Sequence, residues 1–165
     1  MSMELLVILA SRHAPTAQSW ESALKDSHAP VQFSMRFDPS TLTGFVPVSV
    51  QGQNSGFYFL RESYQELSQT YPKLVGIKLD QPIVYSLGYG GHRLECAAVF
   101  YSAAVLVARF GGIAFEPQGA TFLSEQELTA AAKQCRPRQP RLRPGPASAD
   151  GPSTKGLGQS SQVIV

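Results

Sequence analysis

The chain has 165 residues, 43% of them hydrophobic, and a formal net charge of +2. That length suits one domain with a substantial core and is short for two. The charge is uneven: residues 136–165 hold five of the fourteen Lys and Arg and one of the twelve acids, so residues 1–135 carry nine cations against eleven acids, a net −2.

Leu5 to Ala10 is a short apolar run preceded by Glu4 rather than by a basic segment, and reads as a buried first strand, not a targeting signal. A helix follows from about Pro15, with proline at its first position and Ala17, Trp20 and Leu24 on one face. Val31 to Phe37 alternates Val31, Phe33, Met35 and Phe37 with polar residues, the period of a half-buried strand. Phe45 to Val50 and Gly56 to Leu60 flank the turn-rich Gln51–Gly56 and predict a hairpin, with Pro47 placing its first strand at a sheet edge.

Tyr64, Leu67 and Tyr71 predict a helix over about Glu62 to Tyr71, ended by Pro72. Pro82 to Leu87 reads as an interior strand. The Gly88-Tyr89-Gly90-Gly91 turn then leads into a helix over about His92 to Phe110, long enough for about 28 Å at 1.5 Å per residue. It has one apolar face of Leu94, Ala97, Ala98, Tyr101, Ala104, Val105 and Ala108 and another of Cys96, Val99, Phe100, Ala103, Leu106 and Val107. Such a helix must be covered on more than one side. Gly111 is the expected left-handed stop, Ile113 to Phe115 a last strand, and Ser124-Glu-Gln-Glu127 a capping box opening a helix that ends near Cys135.

This order predicts an α+β domain over residues 1–135: a mixed, largely antiparallel sheet with packed helices, one of them long, central and apolar. Residues 136–165, with five Pro, four Gly and few large apolar side chains, read as a disordered appendage. Arg136, Arg138, Arg141 and Arg143 offer a third reading, an adaptor touching nucleic acid or an acidic surface, ranked below a solvated tail. The longest apolar run, Cys96 to Ala108, is too short to span a bilayer. Two cysteines supply no disulfide framework and agree with a reducing cytoplasm.

Candidate chemistry is sparse. Gly88 to Gly91 before a helix resembles an anion cradle, but position 93 is Arg93 where a dinucleotide fingerprint wants glycine, and a tight turn explains the glycines as well. His92 and Cys96 are four apart at a helix start, where a thiolate is favoured; a buried cysteine beside a surface histidine is the plainer account. His13 and His28 have no ligand spacing, so no metal site is expected. Glu95 and Glu116 are candidates for paired carboxylates, each otherwise a loop-fixing or partner-facing acid.

Tyr85, Gly88 to Gly91, Glu95-Cys-Ala-Ala98, Gly111-Gly112, Phe115-Glu-Pro-Gln118 and the following Leu123-Ser-Glu-Gln-Glu127 resemble the plan of bacterial immunity proteins, the dedicated inhibitors carried beside polymorphic and secretion-system toxins. The match covers about a quarter of the chain and departs in having Glu116 where Asp is usual. The resemblance implies a non-enzymatic cytoplasmic protein that binds and neutralises a cognate toxin, without cofactor, membrane or nucleic acid. Tyr89, His92, Arg93, Glu116 and Gln118 are the candidate partner-binding residues. The alternative is a small enzyme or phosphate-ligand-binding domain built on Gly88 to Gly91, His92 and Cys96.

Overall fold

The computed structural model describes residues 2–135; the expectations for the 136–165 tail lie outside them. Seven strands form one sheet in the order β2-β3-β4-β5-β1-β6-β7. They are β1 Met3–Ala10, β2 Val31–Phe33, β3 Gly44–Val50, β4 Gln53–Glu62, β5 Pro82–Tyr89, β6 Ile113–Glu116 and β7 Thr121–Leu123. The helices are α1 Ala17–Asp26, α2 Tyr64–Thr70, α3 Arg93–Phe110 and α4 Glu125–Cys135. The domain is therefore α+β, but every strand pair is antiparallel, so the expected mixed character is corrected.

Strand alternation sorts the sheet into two faces. On one, Leu5, Val7, Leu9, Val46, Val48, Phe57, Phe59, Tyr85 and Leu87 enter the main core with residues of α1, α3 and α4. Trp20 is the hub of this layer, stacked near Tyr85 at 6.0 Å and edge-on to Phe33 at 5.3 Å. Burial pushes the Tyr85 hydroxyl up to about 12, so it stays neutral there. On the other face Leu6, Ile8, Val84 and Phe115 form a smaller core under α2 and the 3-10 turn Pro72–Gly76, joined by Tyr64, Leu67, Tyr71 and Leu74. This second layer stops short of β3 and the middle of β4.

The long helix α3 buries eleven residues and is stopped by Gly111 at φ 67. Ala108, expected on a packing face, is exposed, whereas Val107 and Phe110 of the same last turn pack against the core. Other boundaries moved for identifiable reasons. β2 ends at Phe33: Phe37 turns its ring onto Phe33, at 5.0 Å, and onto Trp20, so the chain leaves the sheet although the alternation continues. β3 is not an edge, since β2 pairs with it; Pro47 lies just past the last β2 partner, Val48. The expected six-residue spacer contracts to Gln51-Gly52 with φ 52 and 77, the positive pair that a two-residue hairpin requires. α1 starts after Pro15, with Thr16 as cap and Ser19 completing a capping box. α4 opens as expected, Ser124 N–H donating to Glu127 at 2.8 Å and Glu127 N–H to Ser124 Oγ at 3.2 Å. β7 was not expected.

Candidate functional site

Strand β5 runs through Tyr89, so Gly88 and Tyr89 belong to the sheet and the turn into α3 shrinks to Gly90, Gly91 and His92. Gly90 N–H donates to Glu95 Oε2 at 2.8 Å. The helix start thus carries an internal carboxylate at the place where the anion-cradle reading needs a phosphate. Cys96, one residue on, is joined to Cys135 by a disulfide across α3 and α4, Cα to Cα 5.7 Å. That corrects the expectation of two separate cysteines: a bonded sulfur is no nucleophile, and the cysteine argument for a reducing compartment falls with it.

Of the five residues expected to bind a partner, Tyr89 is withdrawn from the surface. Tyr89 is only 6% exposed, its ring edge-on to Phe100 at 5.8 Å, and serves the core. Its hydroxyl is pushed up by burial and then by the Glu116 carboxylate, which places Glu116 at the same end of the sheet. Glu116 Oε2 also accepts from Gly119 N–H at 3.2 Å, fixing the turn between β6 and β7. Glu95 and Glu116 are therefore each tied to a loop N–H rather than to one another. Gln118 is exposed in that turn, and His92 and Arg93 are exposed at the start of α3. His92 and Glu95 share a shallow cleft with Phe45, Pro47, Asn54 and Gly56.

That cleft leads to a surface the sequence did not mark. On the sheet face opposite the main core, Tyr58 (62% exposed), Phe45 and Leu60 stand open to solvent, the first two edge-on with ring centroids 5.5 Å apart. The Phe45 ring lies over Gly56, where a Cβ would meet it at 2.2 Å, so only glycine admits this packing. Beside the apolar group, Ser86 Oγ donates to Glu4 Oε1, and Glu62 lies close enough to Glu4 to share a hydrogen bond. Burial first, then the Glu4 charge, holds Glu62 above the usual carboxylate range. Tyr58 pairs with Gly88, and Gly88 with Glu4, in one row across β4, β5 and β1.

Among the described residues, no three of His, Cys, Asp and Glu gather as metal ligands would, and no helix is long and apolar enough to cross a membrane. The arrangement is that of an antiparallel α+β domain with an uncovered aromatic and acidic sheet face. No family model, no curated protein and no solved structure matches the chain.

Proposed function

We propose that the chain is an immunity protein that neutralises a cognate bacterial toxin by stoichiometric binding. The observation that supports this best is the open group of Phe45, Tyr58 and Leu60 on a rigid sheet, bordered by Glu4 and Glu62. Exposed aromatics presented on a rigid frame are among the residues that anchor protein interfaces, and an acidic border speeds capture of a basic partner. The alternative of a small enzyme or phosphate-ligand-binding domain, built on Gly88 to Gly91, His92 and Cys96, is disfavoured at its turn, where Gly90 N–H is already engaged by Glu95.

The test is co-expression with the toxin encoded by the adjoining reading frame. Wild type should restore growth, and His92→Ala should do so equally. Loss of protection in a folded His92→Ala variant that still binds the toxin would return the reading to an enzyme.

Action in the cytoplasm belongs to this proposal. In that compartment glutathione would hold Cys96 and Cys135 as thiols, so alkylating cell extracts should add two labels per chain. An unlabelled chain would move the protein to an oxidising compartment.

A further inference from the structure

The row Tyr58, Gly88, Glu4 crosses three adjacent strands on the open face, so its outer Cα atoms are about 10 Å apart. The middle position has no side chain. The row therefore dips to bare backbone, a shallow trough between Tyr58, whose ring leans onto Phe45, and Glu4, whose carboxylate accepts from Ser86 Oγ. Ser86, bonded to Glu4, lies two residues along β5. An alanine Cβ at Gly88 would meet Tyr58 Cβ at 3.5 Å, an ordinary contact, and no positive φ demands glycine there. Neither the backbone nor close packing requires Gly88; the space above it is what its absence of side chain provides.

Resting on the immunity reading, we propose that this trough receives an arginine side chain of the toxin. A guanidinium is flat, stacks on a tyrosine ring and pairs with a carboxylate in the same plane. Glu4 and Glu62 give the surroundings one sign of charge, which favours a cation and disfavours a second copy of this chain, whose own Glu4 and Glu62 would be brought to the same interface. Phe45 and Leu60 supply the apolar ground around the slot.

The test uses the full chain and the catalytically inactivated toxin from the adjoining frame, with affinity measured by calorimetry. Gly88→Val keeps a strand-favouring residue and fills the trough. It should melt near the wild-type temperature and bind at least about 100-fold more weakly, the effect expected of blocking a central anchor. Gly88→Ala should fold as wild type and lose less. Glu4→Gln should weaken binding about tenfold and flatten its salt dependence. In a double-mutant cycle, one arginine of the toxin should couple to Glu4 by about tenfold, and replacing it with lysine should not restore affinity. Should Gly88→Val fold poorly, Gly88→Ala and the cycle decide alone. Wild-type affinity in the Gly88 variants, or no coupled arginine, overturns the slot while neutralisation by wild type keeps the immunity reading. Failure of wild type to bind the toxin removes both. A dimer of this chain that Tyr58→Ala dissociates would assign the face to a second copy and overturn the proposal.

Discussion

Glu95 and Glu62 show how differently two carboxylates are used. Glu95 closes the turn before α3 through Gly90 N–H and lies in the first turn of the helix, where a negative charge is favoured. Glu95→Ala should cost about 1–2 kcal/mol in urea unfolding, with Glu95→Gln losing less because the amide oxygen still accepts. Glu62 works the other way. Its raised pKa means that the folded state binds a proton more tightly than the unfolded chain, so this contribution to stability is complete below the ordinary 4.5 and is lost as pH rises through the folded value. Glu62→Gln should therefore gain on wild type between pH 4 and pH 7, read as a urea-midpoint difference that widens with pH; a constant difference would mean that folding does not raise the Glu62 pKa. The sequence identified Glu95 as a chemical candidate but not its partner, which depends on how tightly a glycine turn closes. Glu4 and Glu62 stand out in the sequence only as a strand-flanking residue and an expected helix start, not as a pair. They lie on β1 and β4, and only the order of strands, with β5 between the two, brings them together.

At the scale of elements, what could be read was local. The glycine stop of α3, the box that opens α4 and the β3–β4 hairpin all follow from residues within a few positions of one another. Strand length did not, because Phe37 obeys the strand alternation and yet packs from outside the sheet onto Trp20. Edge status did not either: Pro47 suggested an edge, and a three-residue β2 accommodates it by ending beside it. The packing of α3 gives a test that its apolarity alone does not. Ala104 is 5% exposed, on a helix flanked by α1, α4 and the sheet. Ala104→Leu should overpack this layer and cost about 1–3 kcal/mol, measured by chemical denaturation. Unchanged stability would place that side of α3 at a free surface.

For the whole molecule, the two sides of the sheet divide the work. One face carries the main core, with three helices and the disulfide between α3 and α4; the other is covered only in part, leaving an aromatic and acidic area on strands that the main core holds rigid. Such a surface is pre-organised, so binding spends little on ordering the chain. Under the proposed inhibition it would act by occupancy and not be renewed after each encounter. Titrating this protein into a fixed amount of toxin, well above the dissociation constant, should therefore remove toxin activity in a straight line that ends at one molecule per toxin. Because the area is acidic, dissociation in the same assay should speed up only modestly with salt while association slows strongly, since long-range attraction governs encounter and the apolar contacts govern release. Inactivation of many toxin molecules by one copy would demand a turnover chemistry and overturn inhibition by binding. A salt-independent association rate would instead leave inhibition intact and remove the acidic border from it.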